Sequence, residues 1–175
     1  MRFCGIYAIA VIGMLLAGCG KPNPAPAAPP VVETERPIPT SAQPKLRTIK
    51  FWIGAEEMVA ELALTGIQMQ TGMMFRTNIA ENEGMIFVLP FPQRASFWMK
   101  NCPQSLSAAY LSADGVIQEI HHLEKQDTNS VVATHDNIRF VLETKDGWFQ
   151  RHNIGTGVVV RTEFGSLEKT FLQRR

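Results

Sequence analysis

Apolar and polar residues alternate along most of the chain after Arg47, and this period of two is typical of half-buried β-strands. The run at 85–89 is apolar throughout, which predicts a strand buried on both faces, and Pro90 and Pro92 are expected to end it. The whole pattern predicts strands over residues 48–53, 58–64, 85–89, 95–100, 108–111, 116–121, 138–143 and 158–161.

Turn residues separate the predicted strands. Residues 54–57 are expected to form one hairpin loop, and residues 112–115 another, because an Asp-Gly pair supports the positive φ angle that such turns need. Many short strands joined in this way indicate a mainly β (α+β) fold, a compact antiparallel, barrel-like sheet that carries two short helices.

Capping residues predict the two helices. Thr65 is expected to cap a helix that runs from Ile67 to Phe75, and Asp146 is expected to cap a second helix that ends at Asn153 or Gly155. No internal repeat is visible, so these elements are assigned to one globular domain over residues 47–175.

The N-terminal residues follow a different pattern. Arg2 precedes an apolar run from Ile6 to Leu16, which is shorter than the roughly 20 residues of a transmembrane helix but has the length of a secretory signal. The run ends in the lipobox pattern Leu16-Ala17-Gly18-Cys19. We therefore expect residues 1–18 to be a lipoprotein signal peptide and Cys19 to carry the lipid, the alternative being an ordinary signal peptide with a chance cysteine.

A proline-rich segment follows the predicted lipidation site. Residues 19–46 hold 8 of the 11 prolines, a composition that favours an extended tether without a core of its own. The domain is thus expected to face the periplasm from a membrane anchor, and Gly20 after the cysteine favours the outer membrane. With Cys4 in the leader and Cys19 lipidated, Cys102 has no partner for an internal disulfide.

Trp98, Lys100 and Arg76 are the leading candidates for a ligand-binding surface. Trp98 and Lys100 lie two residues apart in a predicted strand and share a face, and an aromatic ring beside a cation suits a sugar or ring with an anionic group. The alternative is that Trp98 fills the core and Lys100 extends past it. Arg76 and Glu143 are expected to form a buried bidentate ion pair.

Asn101 and Trp148 complete the ligand-binding candidates, together with Glu143. Asn101 ends its predicted strand, where its side chain suits either a ligand or a turn. Trp148 and His152 stand four residues apart on a predicted helix and share a face, which favours a packed aromatic edge.

Metal, cofactor and nucleic-acid sites are not predicted. His121, His122 and Glu124 suggest zinc, but adjacent strand residues point to opposite faces, so that only His122 and Glu124 converge where zinc needs three or four ligands. The chain has no Gly-x-Ser-x-Gly motif, no phosphate-binding loop and no basic stripe with interleaved aromatic residues. Net charge is +1, which gives no long-range field toward nucleic acid. No catalytic residue is assigned.

Four motifs occur in order along the domain: Gly72-Met73-Met74-Phe75-Arg76, Gly84-Met85-Ile86-Phe87-Val88, Phe97-Trp98-Met99-Lys100-Asn101, and Phe140-Val141-Leu142-Glu143 with Gly147-Trp148 after it. Together they resemble the DUF192 family of small bacterial and archaeal domains over residues 48–161. The resemblance implies a compact β-rich fold and frequent export signals, and it implies no established activity, cofactor or substrate.

The chain departs from the family pattern at three places. Gln68 and Met69 stand where family members usually carry a Glu-Arg pair, Cys102 stands for a threonine, and Ser107 stands for an aspartate. Charged groups that would form an ionic site are therefore missing, which favours loss of acid–base chemistry or a less charged ligand.

These observations leave three functions open. The first is a non-catalytic envelope module that binds a small molecule, a glycan or a protein segment, and the second is a structural lipoprotein that docks on a protein partner. The third is an envelope hydrolase or transferase, which would use a carboxylate with a histidine and would place a strongly shifted pKa inside a cleft. Its candidate residues are Glu143 or Asp136 with His135 or His152.

Overall fold

The computed structural model describes residues 37–173. The predicted signal peptide, Cys19 and the first part of the predicted tether lie outside the described residues. The described part is mainly β, as predicted. Its strands are β1 (Thr48–Ile53), β2 (Glu56–Ala63), β3 (Glu83–Gln93), β4 (Ser96–Phe97), β5 (Leu106–Leu111), β6 (Ile117–Leu123), β7 (Val131–Val132), β8 (Ile138–Lys145), β9 (Val160–Thr162) and β10 (Gly165–Ser166).

Eight of these strands form one mixed sheet in the order β10-β9-β1-β2-β3-β8-β5-β6, and β4 pairs with β7 separately. The neighbours are antiparallel except for β2 and β3, which run parallel. The exception arises because a helix and a loop return the chain from the end of β2 to the end of the sheet where β2 began. Ile117 near one edge donates from its N–H to the carbonyl of Val158, and Val160 donates to Gly115, both at 2.9 Å. The sheet therefore curls toward itself in a barrel-like way.

Helix α1 (Gly66–Thr71) begins as predicted. The Thr65 hydroxyl accepts a hydrogen bond from the N–H of Gln68, and the Gln68 side chain accepts one from the N–H of Thr65. Together these contacts form a capping box. The helix stops four residues earlier than predicted, because Gly72 has a φ of 46° that ends the helical path.

Helix α2 (Trp148–Arg151) is capped differently from the prediction. Gly147 is the N-cap residue, with a φ of 72° and no side-chain cap. The Asp146 carboxylate contacts the His122 ring at 2.8 Å instead. A third short helix, a π-helical turn over Glu168–Leu172, lies near the end of the described residues. No helix within residues 37–173 is long and apolar enough to cross a membrane.

Strand β3 continues through the two prolines that were expected to end it. Pro90 and Pro92 lie where the pairing of β3 with β8 is interrupted, between Val88 and Gln93, so neither ring removes a donor from a regular ladder. The predicted strand at 95–100 is wrong beyond Phe97, since the chain turns at Lys100 and Asn101. Two of the three two-residue strands, β7 and β10, were not predicted.

The sheet separates two apolar cores. On one face Ala63, Met85, Phe87, Tyr110 and Val141 pack beneath α1 and the residues that follow it, and this is the first core. On the other face Phe51, Ile86, Leu142, Trp148 and Phe149 form the second core. Strand alternation sends successive residues to opposite faces, which is why Met85 and Ile86 belong to different cores.

Residues just before β1 are attached to the domain. The Gln43 side-chain amide donates to the carbonyls of Gln68 at 3.2 Å and Gly72 at 2.9 Å, at the end of α1. The N–H of Leu46 donates to the Glu61 carboxylate at 2.6 Å, and Leu46 packs against the first core. The last part of the predicted tether thus runs along α1.

Candidate functional site

A cavity of about 290 Å³ opens between α1 and the sheet, on the side of the first core. Helix α1 and the turn after it supply Met69, Met73 and Met74 to its wall, and these are three of the eight methionines in the chain. Phe87, Phe97 and Trp98 supply aromatic rings, and Cys102 supplies a thiol. The wall is apolar except for a few polar groups, which is the usual make-up of a small-molecule site.

Glu143 carries the acidic side chain of this cavity. It lies on β8 between Met85 of β3 and Ala108 of β5, and it is 4% exposed. No hydrogen bond or ion pair holds its carboxyl group within residues 37–173. Burial raises the pKa of Glu143 to about 8, because a charged carboxylate loses its water there and gains no partner. The group is therefore mainly protonated at neutral pH.

Two weak acids lie near Glu143. Burial raises the pKa of the Cys102 thiol to about 12, and the charge of Glu143 adds to the effect. Burial also raises the pKa of Tyr110, with further contributions from Glu143 and Glu119. The Tyr110 hydroxyl donates to the carbonyl of Val131 at 2.9 Å. Both groups stay neutral through the physiological range, so Cys102 lacks the thiolate character of a nucleophile.

The predicted ion pair between Arg76 and Glu143 is wrong. Arg76 pairs with Glu61 of β2 instead, with Nη1 to Oε1 at 2.6 Å and Nη2 to Oε2 at 2.9 Å. Arg76 reaches Glu61 because β2 pairs in parallel with β3, which places Glu61 beside Met85. The turn that contains Arg76 lies over this face of the sheet. Arg76 is thereby held as a bidentate partner of the fold.

Trp98 and Lys100 come together, although the strand that was expected to align them ends at Phe97. The Lys100 Nζ atom lies 5.4 Å from the centre of the Trp98 ring, a cation–π contact. Trp98 lines the cavity and is 39% exposed, so it does not fill the core. Met99 between them is buried.

Asn101 and Trp148 lie away from the cavity wall. Asn101 has a φ of 60°, and its carbonyl accepts a hydrogen bond from the N–H of Phe75 at 2.7 Å, so it closes a turn. Trp148 is buried in the second core, on the opposite face of the sheet. Its ring stacks on His152 at 4.4 Å and meets Phe149 edge-on at 5.2 Å. The predicted packed aromatic edge is what the structure shows at Trp148.

The histidines pair with carboxylates elsewhere. His121 and His135 both contact Glu119, at 2.8 and 2.6 Å. Burial opposes ionisation of Glu119, but hydrogen bonds from His135 and Thr134 outweigh it and hold the pKa of Glu119 well below its usual range. No group of three or more His, Cys, Asp or Glu side chains suited to a metal ion occurs in the described residues.

The four residues that depart from the family pattern lie in three places. Met69 and Cys102 line the cavity that contains Glu143. Gln68 serves in the capping box of α1, and the Ser107 hydroxyl accepts a hydrogen bond from the N–H of Gly147 at 2.9 Å on the other face of the sheet. The sequence analysis did not assign the methionines to the site. Three methionines within residues 69–74 were the feature of the sequence that could have indicated an adaptable apolar wall.

Comparison with known proteins places this site in a family. The model of DUF192, described as "Uncharacterized ACR", matches residues 49–162. The chain belongs to the DUF192 family. The predicted resemblance is confirmed over nearly the same residues. The cavity, Glu143 and the Arg76–Glu61 pair all lie within this family domain.

Two crystal structures share the fold of the DUF192 domain. A protein of unknown function from Novosphingobium aromaticivorans DSM 12444 is 29% identical, with a TM-score of 0.62 over 66% of this chain and 86% of that one. A protein from Sinorhizobium meliloti 1021 described as a "putative transcription regulator" is 23% identical, with a TM-score of 0.61 over 66% of this chain and 92% of that one. No curated protein matches the chain.

Proposed function

We propose that this protein is an envelope-anchored lipoprotein whose DUF192 domain is a non-catalytic binding module for a small molecule, and that the ligand occupies the cavity between α1 and the sheet. The observation that carries the proposal is Glu143, a buried carboxyl group that lines this cavity and has no hydrogen-bond or ion-pair partner among residues 37–173. Burying such a group costs stability unless something pairs with it. A bound ligand would supply the missing partner.

The wall of the cavity supports the same function. Trp98 is half-exposed at the cavity, where a flat ring can pack against an entering ligand, and the thioethers of Met69 and Met73 can adapt to its shape. A glycan would need several polar groups along the wall, and the wall offers few. Among the ligands considered for this domain, a compact and largely apolar small molecule fits best.

The hydrolase alternative requires a carboxyl group with a shifted pKa inside a cleft and a histidine beside it, and the structure shows the first of these two features. Glu143 has a raised pKa inside a cleft, as a catalytic acid would. A histidine is not beside it, however, because His135 contacts Glu119, and His152 contacts Glu56 at 3.1 Å and Glu81 at 3.4 Å. Glu143 therefore lacks the acid–base partner that this alternative assigned to it.

Ligand binding is tested by thermal unfolding of the full chain in lipid nanodiscs, so that no detergent competes for the cavity. The panel contains small amines, alcohols, carboxylates, sugars and peptidoglycan fragments. A ligand at about a hundred times its Kd adds roughly 2.7 kcal/mol of stability, which raises the Tm by several degrees. We expect Trp98→Ala to reduce this shift in Tm. The control Trp52→Ala, which removes a tryptophan side chain from β1, should leave the shift unchanged. A shift that survives Trp98→Ala and a cavity-filling Met73→Phe would place binding elsewhere.

The lipid anchor is tested separately. We expect cells given a labelled fatty acid to transfer the label to this chain, and Cys19→Ser to abolish both the label and recovery with membranes. A wild-type chain that is exported without label would contradict the lipoprotein assignment and leave the binding proposal standing.

A further inference from the structure

We infer that the cavity takes an organic ammonium ion with a small apolar body, and that its binding displaces the proton of Glu143. The inference rests on the proposed binding function and names its ligand class. It is argued from the absence of basic side chains among the described lining residues and from the position of the Glu143 carboxyl group at the cavity.

The wall favours positive charge. No Lys, Arg or His side chain is among the residues that line the cavity in the described part of the chain. The aromatic rings present π-faces, the thioether sulfurs are weak acceptors, and Glu143 is the one carboxyl group among the lining residues that the structure describes. Thr71, which also lines the cavity, donates its hydroxyl to the carbonyl of Ile67. An anionic ligand would find no Lys, Arg or His side chain on this wall within the described residues.

The basic residues nearest the cavity contact groups other than Glu143. Arg76 is held by both oxygens of Glu61. Lys100 lies over the Trp98 ring, on the cavity's aromatic margin. Neither supplies a counter-charge to Glu143, and burial is the single cause of its raised pKa. The ammonium group of a ligand is therefore the partner that this carboxylate lacks.

Size limits the rest of the ligand. A volume of about 290 Å³ lies at the lower end of the range of small-molecule sites, which is roughly 300–1,000 Å³. The apolar part of the wall, with Met73, Met74 and Leu89, accommodates a short alkyl chain or a single ring. Aralkyl and alkyl ammonium ions of this size match both the charge and the volume.

Proton release follows from charge pairing. The ligand enters as an ammonium ion, the O–H bond of the Glu143 carboxyl group breaks, and the proton leaves to the solvent while the carboxylate pairs with the ammonium N–H groups. The titratable groups that face Glu143 are Cys102 from the turn after β4 and Tyr110 from β5. Its strand neighbours Met85 and Ala108 carry no charge. Cys102 and Tyr110 stay protonated, so Glu143 is the group that titrates.

Calorimetry of the full chain with three probes of similar size tests the inference. The probes are benzylammonium, benzyl alcohol and benzoate, and each titration is run at pH 6 to 7.5 in two buffers that differ in ionisation enthalpy. We expect benzylammonium to bind most tightly, to release about one proton, and to gain about tenfold in affinity per pH unit. Glu143→Gln, which keeps the shape, should abolish the proton release and the pH dependence.

Other outcomes overturn the inference in distinguishable ways. Benzyl alcohol or benzoate binding more tightly than benzylammonium, with affinity that falls as pH rises, would make Glu143 a hydrogen-bond donor and would keep the proposed binding function. Tight binding of Ag⁺ that is lost in Met69→Leu and unchanged in Glu143→Gln would indicate a soft-metal site instead. If none of the three organic probes binds either the wild type or a folded Glu143→Gln variant, the inference fails, and the proposed binding function then depends on the wider thermal-unfolding panel alone.

Discussion

Glu61 and Glu143 lie in the same row of the sheet, on either side of Met85, and they meet opposite surroundings. Glu61 accepts two hydrogen bonds from the Arg76 guanidinium and one from the N–H of Leu46. Glu143 has no such partner in the described part of the chain and lines a cavity. Both are buried, at 6% and 4% exposure, so burial alone does not separate them.

The difference separates two uses of a buried carboxyl group. Around Glu61 the charge is matched, and its contacts connect β2 to the turn after α1 and to Leu46, two residues before β1. Around Glu143 the same kind of group is left unmatched, which lowers the stability of the folded state at neutral and higher pH. Unmatched buried groups of this kind are concentrated at functional sites.

Removing the partner of Glu61 has the largest expected effect. Arg76→Met leaves Glu61 buried without its cation, and we expect the free energy of unfolding to fall by about 3–5 kcal/mol. Urea unfolding at pH 7 measures the loss, and Arg76→Lys, which keeps the charge without the bidentate geometry, should lose less. The double variant Glu61→Leu with Arg76→Met should recover much of the stability. A change below about 1 kcal/mol in Arg76→Met would show that the pair contributes little.

Neutralising Glu143 has the next largest effect, and it depends on pH. The raised pKa of about 8 means that Glu143 keeps a proton in the folded protein that it loses near pH 4.3 in the unfolded chain, so its own contribution to stability is greatest below pH 4.3 and falls until pH 8. Glu143→Gln removes this loss. We expect its stability relative to the wild type to rise by roughly 3 kcal/mol between pH 5 and pH 8, measured by urea unfolding at both values. Parallel pH profiles would mean that Glu143 ionises normally.

Giving Glu143 a cation should make it resemble Glu61. Met69→Arg places a guanidinium group in the wall of the same cavity, where it can pair with the carboxylate and occupy the space of a ligand. We expect stability at pH 8 to rise by about 1–2 kcal/mol and benzylammonium binding to be lost. Met69→Gln, of similar length and without charge, is the control. Binding that persists in Met69→Arg would place the ligand outside this cavity.

Removing Lys100 should have the smallest effect. Its contact with Trp98 is partly exposed, and such cation–π contacts contribute about 0.5–1 kcal/mol. We expect Lys100→Ala to lower the free energy of unfolding by about 0.5 kcal/mol, by the same amount at pH 5 and pH 8. A pH-dependent difference would show that Lys100 acts on one of the two carboxyl groups.

Local patterns predicted much of the fold. The period of two located β1 and β2, because one face of each of these segments is more apolar than the other, and the Asp-Gly turn located β5 and β6 on either side of it. The cap at Thr65 was also readable, since a capping box is made by residues three apart. Strands of two residues, such as β7 and β10, are too short to show a period.

The candidate site could be predicted in part. Trp98 was selected from sequence as an aromatic ring beside a cation and Glu143 as the ion-pair partner of Arg76, and the structure places both at the cavity. The partner of Arg76 could not be chosen, because the choice between Glu61 and Glu143 depends on which strand lies beside β3 and in which direction. Strand order and direction are long-range properties that no local pattern encodes.

The contacts of Gln43 also determine how mechanical load would enter the domain. On the proposed lipid anchor, a pull from the membrane reaches residues 37–46 first and passes to the end of α1 through the two hydrogen bonds of the Gln43 amide. Helix α1 and the turn that follows it carry one wall of the cavity. Tension on the tether would therefore act on one wall of the cavity as well as on the sheet, which the same segment contacts where the N–H of Leu46 donates to Glu61.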